Sequence, residues 1–168
     1  MNERLWAPWR LEYIASAAQE SPIPKPASQC FICQGLANTN DRAHLIAHRT
    51  KHSVVVLNKF PYNNGHLLVA PHAHLPTLDE LNDEVLLDLQ LTVRHMMQQI
   101  TKIMKPDGYN VGLNLGRVAG AGLPGHLHWH IVPRWNGDTN FIPVLAQTKV
   151  ISQSLEAFYD LLVESLIS

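Results

Sequence analysis

Apolar residues come in short runs through most of the chain, separated by polar or turn-forming stretches, and this pattern is typical of strands. The five candidate strands lie at residues 45–49, 53–57, 66–70, 109–115 and 126–134. Asparagine, proline and glycine are concentrated between the second and the third, which indicates a turn between neighbouring antiparallel strands. We therefore expect an antiparallel sheet of about five strands.

A different periodicity, close to that of a helix, runs through residues 79–104. Apolar side chains recur there every three or four positions, and the proline and glycine just beyond would end a helix. A second helix is predicted at residues 152–166. Helices packed on one side of an antiparallel sheet make an α+β domain, so we expect an N-terminal arm over residues 1–28 and a single domain over residues 29–168.

The composition is that of one globular domain. Of the 168 residues, 46% are hydrophobic, which is enough to bury one core. The net charge is −1 and 16% of the residues are charged, so no overall positive field attracts nucleic acid. No apolar run approaches the roughly 20 residues that span a bilayer, and no secretory signal is evident. We therefore expect a cytoplasmic protein without a membrane or general nucleic-acid partner.

Two cysteines, Cys30 and Cys33, are separated by two residues. This spacing is typical of half a zinc site or of a redox pair, whereas a disulfide is not expected without a secretion signal. A redox motif would be expected near a βαβ pattern, but these cysteines follow the proline-rich stretch 21–26. Zinc is therefore the favoured interpretation, and a pair of free thiols is the alternative.

Three histidines, His126, His128 and His130, alternate with large apolar residues. In a strand this pattern places the three imidazoles on one face and Leu127 and Trp129 on the other. Imidazoles can serve as nucleophile, proton donor or metal ligand near neutral pH. An ordinary strand with one polar face is the alternative, but a row of imidazoles adds little stability, so the pattern favours chemistry.

The segment His126-Leu127-His128-Trp129-His130-Ile131-Val132 resembles the signature of the histidine triad (HIT) family of nucleotide hydrolases and transferases. Three further segments match in the family's order: residues 58–74, 110–116 and 133–134. The likeness covers about residues 30–142, and residues 5–10, 110–116 and 133–141 are most similar to the bacterial diadenosine tetraphosphate phosphorylase-like branch. The resemblance implies the α+β HIT-like fold, usually as a two-fold homodimer.

The resemblance also implies roles for four histidines. His128 matches the nucleophile, which attacks the α-phosphorus of a nucleotide and forms a nucleotidyl-histidine intermediate. The backbone carbonyl of His126 would fix the tautomer of His128, and a protonated His130 would neutralise charge on the phosphate or the leaving group. His66, eight positions after Asn58, matches a fourth histidine that supports the row from a neighbouring strand.

Nucleotide contacts are implied in the same way. Asn58 matches the position that binds the ribose hydroxyls and Asn114 the asparagine that contacts phosphate, although each could be an ordinary turn residue. Many relatives place Gln-Ser or Gln-Thr before the first histidine. This chain has neither there, so the backbone amides of Gly120 and Gly122 are the candidates for the α-phosphate, with a purely conformational role as the alternative. The predicted apolar slot for the base comprises Val56, Leu57 and Phe60.

Several bacterial members of the family bind a structural zinc, and the resemblance implies the same ligand set here. The implied ligands are Cys30, Cys33, His74 and His126. A closed site of two cysteines and two histidines would hold the arm to the sheet and would not activate water. The alternative ligands are His44, His48, His52 and His72. No organic cofactor is implied.

We therefore expect a nucleotidyl hydrolase or transferase that cleaves dinucleoside polyphosphates, such as diadenosine tetraphosphate, at the α-phosphate by hydrolysis or phosphorolysis. A nucleoside phosphoramidate hydrolase would use the same apparatus and stays open, as does the base preference. Two alternatives of other classes are a hydrolase with a catalytic metal held by the three histidines and a non-catalytic nucleotide-binding module.

Overall fold

In the computed structural model, which describes residues 26–138, 151 and 153–167, the chain forms five strands and three α-helices. The strands are β1 (Ile46–Arg49), β2 (Ser53–Leu57), β3 (Leu67–Pro71), β4 (Gly108–Leu113) and β5 (Trp129–Arg134). The helices are α1 (Phe31–Leu36), α2 (Asp83–Met104) and α3 (Leu155–Ile167). The predicted N-terminal arm lies almost entirely outside the described residues. None of the described helices is both long and apolar enough to cross a membrane.

The five strands form one sheet in the order β1-β2-β3-β5-β4, and every neighbouring pair is antiparallel. β2 and β3 pair along their full lengths through the predicted turn. The chain then passes through α2 to β4 at the edge, and β5 lies between β3 and β4. The predicted α+β fold with a five-stranded antiparallel sheet is confirmed.

One face of the sheet packs against α2 and α3. Buried apolar residues recur along α2 at helical spacing, so that one stripe of the helix faces the sheet. The principal members of this core are Val55, Leu57, Leu67, Val69, Leu89, Val93, Met96, Ile100, Leu127, Trp129, Ile131, Phe158 and Leu162. Leu127, Trp129 and Ile131 thus pack on the face opposite to the chemistry, as their alternation with histidine predicts.

The opposite face of the sheet positions the candidate site. Val54 and Val56 of β2 point to this side and pack with Cys30 and Ile32 near α1. His130 on β5 pairs with Leu68 of β3 and Gly112 of β4, and residues in register share a face. The side chain of His130 therefore emerges on the same face as the cysteines.

The starts of both predicted helices differ from the structure by several residues. The long helix begins at Asp83 instead of 79, because residues 78–80 form a separate 3₁₀ turn and the side chain of Asn82 caps the helix by accepting from the Val85 N–H at 2.9 Å. The last described helix begins at Leu155, where Ser154 accepts a hydrogen bond from the Ala157 N–H.

The strand predicted from residue 126 begins only at Trp129. The backbone N–H of His126 donates to Leu123 and that of Leu127 to Leu75, at 3.3 and 2.7 Å. These bonds replace pairing with β3, whose last residue, Pro71, has no N–H to offer to a neighbouring strand. The first two histidines of the triad therefore lie on an extended segment that enters the strand.

Candidate active site and metal centre

The three histidines of the triad lie close together but in different surroundings. His126 is fully buried, His128 is buried, and His130 is partly exposed. The ring centroids of His128 and His130 are 5.0 Å apart, and the ring planes are inclined to each other by 63°. The structure thus brings His128 and His130 into one small site and turns the ring of His126 away from it, toward the cysteines.

The orientation of His128 is set by the backbone. Its Nδ1 lies 2.8 Å from the backbone carbonyl oxygen of His126, so Nδ1 carries the proton and donates it. In a neutral imidazole the other nitrogen, Nε2, then holds a free lone pair. Burial lowers the pKa of His128, which favours that neutral form.

A chain of hydrogen bonds likewise sets the tautomer of His130. The backbone N–H of Tyr62 donates to Nδ1 of His66 at 3.0 Å, and the side-chain amide of Asn58 donates to the same atom at 3.1 Å. The oxygen of the same amide accepts from the Phe60 N–H at 3.0 Å. Exchanging the oxygen and nitrogen of the Asn58 amide would therefore break both hydrogen bonds. His66 must therefore carry its proton on Nε2, which lies 2.9 Å from Nδ1 of His130. His130 accepts there, and its own proton is left on Nε2.

The pKa values keep these rings neutral in the free protein. Burial, reinforced by the neighbouring His130, lowers the pKa of His66 to about 3. Burial and the nearby His128 lower the pKa of His130 to about 4. At neutral pH the lowered pKa favours a neutral His130 ring in the unliganded protein, with Nε2–H as a donor. Protonation of His130 in the presence of a phosphate stays a prediction.

Asn114 lies beside the free edge of His130. Its Nδ2 is 3.5 Å from Nε2 of His130 and donates to the carbonyl of Gly120 at 3.4 Å. Two N–H groups so close together suit a shared anionic oxygen. The N–H of Gly120 donates to the Arg117 carbonyl at 2.9 Å and so is already engaged, which does not favour Gly120 as a phosphate-binding amide. Gly122 is exposed on the same loop.

The four predicted zinc ligands form a tight cluster. The sulfurs of Cys30 and Cys33 and the Nδ1 atoms of His74 and His126 all lie within 4.8 Å of one another, and the shortest sulfur–nitrogen separations are 3.3 Å. Tetrahedral zinc with bonds of about 2.3 Å to sulfur and 2.0 Å to nitrogen requires sulfur–nitrogen separations of roughly 3.5 Å. The donor set and its spacing fit zinc.

The hydrogen bonds and pKa values of the residues in this cluster also suit a metal centre. Nε2 of His126 donates to the backbone carbonyl of Pro71 at 2.9 Å, which fixes the ring and leaves Nδ1 directed at the cysteines. Burial lowers the pKa of His126 to about 4, so the imidazole is neutral, as a ligand must be. Burial and the neighbouring Cys30 raise the pKa of the Cys33 thiol to about 11, so binding of a cation there would release a proton.

The same geometry argues against a catalytic metal held by the triad. Both ring nitrogens of His126 are engaged away from His128 and His130, one with the cysteines and one with Pro71. A metal shared by all three histidines would require the His126 ring to leave both partners. Within the described part of the chain, the Cys₂His₂ cluster is the group of potential ligands that lies close enough to share one ion.

A cavity of about 550 Å³ lies beside the start of the turn that carries Asn58. Val56, Leu57 and Phe60, the residues predicted to form the base slot, all line it. Phe60 is 78% exposed, so its ring is available to a ligand. The side-chain amide of Asn58 already donates to His66. An amide can form four hydrogen bonds, so Asn58 has capacity for a ribose as well, and this contact stays a prediction.

Two contributions to the site were missed by the sequence interpretation. The ring of Tyr62 stacks on His130 with centroids 5.6 Å apart and also contacts His66 at 4.6 Å. Its position four residues before His66 was the available signal. Helix α3 supplies Tyr159 to the wall of the cavity, and no local pattern could have placed a residue so distant in sequence there.

Several known proteins are similar to this chain in sequence or in fold. Residues 39–137 match the model of the HIT domain. The chain is 39% identical over 153 residues to the AP-4-A phosphorylase of Mycobacterium tuberculosis, covering 91% of this chain and 78% of that protein. It is 38% identical over 93 residues to the asymmetrical bis(5'-nucleosyl)-tetraphosphatase of Schizosaccharomyces pombe, covering 55% and 50%. The structure superimposes on a zinc-bound histidine triad family protein from Mycobacterium smegmatis with a TM-score of 0.67 and 21% identity, covering 84% and 96%.

Proposed function

The chain belongs to the histidine triad family, and on that premise we propose that it cleaves dinucleoside polyphosphates at the α-phosphate through a nucleotidyl-histidine intermediate. The observation that carries this proposal is the orientation of His128. With Nδ1–H bound to the carbonyl of His126, the lone pair of Nε2 is directed away from that carbonyl and is available for attack.

The relatives support an enzyme of nucleotide chemistry. Those named above are a phosphorylase and a tetraphosphatase, and the chain is a HIT-family nucleotide hydrolase or phosphorylase. The histidines that such chemistry requires lie together here. Asn58, which donates to His66, is flanked in sequence by Leu57 and Lys59, and these two residues line a cavity of suitable size. A purely binding role would not require a nucleophile held in one tautomer.

In the first step, Nε2 of His128 attacks the α-phosphorus of the bound dinucleotide. The bond between this phosphorus and the bridging oxygen breaks, and the polyphosphate leaves with the electron pair. Nε2–H of His130 and the amide of Asn114, whose nitrogens lie 3.5 Å apart, donate to the oxygens that gain charge. The bound anion itself raises the pKa of His130, so the ring becomes a better donor when substrate is present.

In the second step, water or inorganic phosphate attacks the nucleotidyl-histidine and restores the free imidazole. Diadenosine tetraphosphate would give ATP in the first step, and then AMP with water or ADP with phosphate.

The test is to incubate the protein with diadenosine tetraphosphate, with and without phosphate, and to separate the products. Trapping of AMP on His128 by rapid acid-free quenching and mass spectrometry tests the intermediate directly. A failure to consume the dinucleotide in either buffer would contradict the proposal, and turnover of adenosine phosphoramidate alone would favour the phosphoramidate alternative.

We propose that the Cys₂His₂ cluster binds a structural zinc. The spacing of the four donor atoms and the fixed ring of His126 support this assignment. When bound, the metal would cross-link α1 and its preceding residues to the sheet. We also propose a cytoplasmic location, because reducing conditions prevent Cys30 and Cys33 from oxidising to a disulfide.

A homodimer is proposed through the edge strand β4. Asn110, Val111 and Gly112 are exposed along this edge of the described sheet, and Val111 is 44% exposed although it is apolar. Unpaired strand edges of this kind are protected by pairing in many proteins. Light scattering should give twice the mass of the chain, and Val111→Lys should shift the mass to that of a monomer.

A further inference from the structure

The cavity of about 550 Å³ that Val56, Leu57 and Phe60 line is called the base cavity below, and three side chains in its wall come from helix α3. They are Leu155, Glu156 and Tyr159. Helix α3 lies beyond residues 39–137, the segment that matches the HIT domain, so this part of the wall is an addition to the shared domain. Residues in such an addition can give a cavity a selectivity that the shared domain does not provide.

Helix α3 is held firmly against the domain, so its side chains have defined positions. The hydroxyl of the buried Tyr159 donates to the backbone carbonyl of Ile46 at 2.9 Å. Arg42 forms a two-pronged ion pair with Asp160, and its guanidinium also lies 5.3 Å from the centre of the Tyr159 ring. Phe158 is buried in the core. The cavity wall formed by α3 is therefore part of the rigid structure.

Glu156 is the polar group that α3 presents to this cavity. In the part of the chain that the structure describes, its carboxylate takes part in no ion pair within 4 Å and no side-chain hydrogen bond. Arg42, which lines the same cavity and whose pKa is raised mainly by Asp160 and to a smaller extent by Glu156, forms its ion pair with Asp160, one turn further along α3. A carboxylate that is ionised at neutral pH only accepts hydrogen bonds. It therefore favours a base edge that presents an N–H group.

The rest of the wall around this acceptor combines Arg42, His44 and Lys59 with apolar and aromatic groups. Phe31, Leu57 and Phe60 line the same cavity, and Phe31 and Phe60 are exposed to it at 45% and 78%. Flat apolar surfaces of this kind hold a base by its faces and leave its edge to be read by a polar group. Glu156 is the acceptor in that position.

Resting on the proposed function, we propose that Glu156 is a specificity-determining residue that selects adenine by accepting a hydrogen bond from its 6-amino group. The phosphate chemistry at His128 takes place at the other end of the nucleotide. Glu156 therefore acts on the affinity for the base and not on the chemical step.

The test compares binding of AMP with binding of purine riboside 5'-monophosphate, which lacks only the 6-amino group. Calorimetry on the wild-type protein should show AMP binding about tenfold more tightly, the lower end of what a hydrogen bond to a charged group provides, because the site is open to water. In Glu156→Ala the ratio should fall to about one, and in Glu156→Gln, which retains a neutral acceptor, it should be intermediate. Glu164→Ala is the matched control: this residue lies about two turns further along α3 and does not line the cavity, so the ratio should stay at the wild-type value.

An unchanged ratio in Glu156→Ala, or an equal fall in Glu164→Ala, would overturn the assignment. Neither ligand is cleaved, so the result does not depend on catalysis. If the wild-type protein discriminates the two nucleotides but does not cleave diadenosine tetraphosphate, the proposed function fails and the role of Glu156 stands. If the wild-type protein binds neither nucleotide, both proposals fail.

Discussion

Nδ1 of His128 donates a 2.8 Å hydrogen bond to the backbone carbonyl of His126, whose own ring points into the cluster of Cys30, Cys33 and His74. One residue therefore links two centres: its ring belongs to the candidate metal centre and its carbonyl orients the candidate nucleophile. The backbone between them is short, so a shift of the His126 ring would move the carbonyl that His128 depends on. Substitutions in the candidate metal centre and substitutions at the candidate nucleophile should therefore have different effects.

Replacement of His128 by alanine should abolish turnover and preserve nucleotide binding. The substitution removes the attacking nitrogen, whereas the cavity lined by Leu57 and Phe60 stays in place. We expect kcat to fall by at least about a thousandfold, as is common on loss of a nucleophile, with the Kd for AMP changed by less than about threefold. Steady-state kinetics and calorimetry check the two values. Activity within tenfold of wild type would rule out the covalent mechanism.

Replacement of Cys33 by alanine should lower both the zinc content and the stability. Three remaining donors bind zinc less tightly, and the binding energy of a structural metal is coupled to folding. Elemental analysis should give one zinc per wild-type chain and well below one for Cys33→Ala, together with a lower Tm. His72→Ala is the control, because His72 lies near the cluster in sequence but donates from Nε2 to the backbone carbonyl of Ser53. Equal zinc contents in the two variants would refute the ligand assignment.

The sheet and the long helix could be predicted because their signals are local. The apolar run at residues 53–57 is buried throughout and forms β2, and the helical stripe of residues 79–104 faces the core in α2. The start of the last strand could not be predicted. His126 and Leu127 form backbone hydrogen bonds with residues outside β3, and these bonds depend on the tertiary structure. The alternation of histidines in the sequence gives no sign of it.

The candidate site could likewise be predicted only in part. The four predicted ligands lie within 4.8 Å of one another, and the rings of His128 and His130 are 5.0 Å apart, so the structure brings together residues that the sequence pattern singles out. The neutral state of His130 was not predicted, because it results from burial and from a relay that begins at the backbone of Tyr62. Burial and relays of this kind depend on long-range contacts, which sequence spacing does not describe.

The histidines at the two ends of the triad should respond differently to replacement by alanine. His126→Ala removes a metal ligand, so we expect less zinc, a lower Tm and, through the displaced carbonyl, slower turnover. His130→Ala removes an N–H that faces the phosphate, so we expect full zinc and a kcat lowered by about a hundredfold. Zinc content, Tm and kcat measured on both proteins check this. If His126→Ala keeps full zinc while His130→Ala loses it, the two assignments are reversed and a catalytic metal must be considered.

His66 should make the stability of the protein depend on pH below neutrality. Burial and the nearby His130 lower its pKa from 6.5 to about 3 in the folded protein, so in the unfolded chain the ring takes up a proton at a higher pH than in the folded one. The stabilisation by His66 is therefore fully present above pH 6.5 and is lost as the pH falls toward 3. Its share of the slope approaches about 1.4 kcal/mol per pH unit between pH 6 and 4. Urea unfolding of the wild type and of His66→Gln should show the free energy of unfolding falling less steeply for the variant over this range, even if the variant is less stable at pH 7. Because any zinc would be lost from both proteins alike at low pH, the difference between the two slopes isolates His66, and parallel curves would show that the ring does not stay neutral in the folded protein.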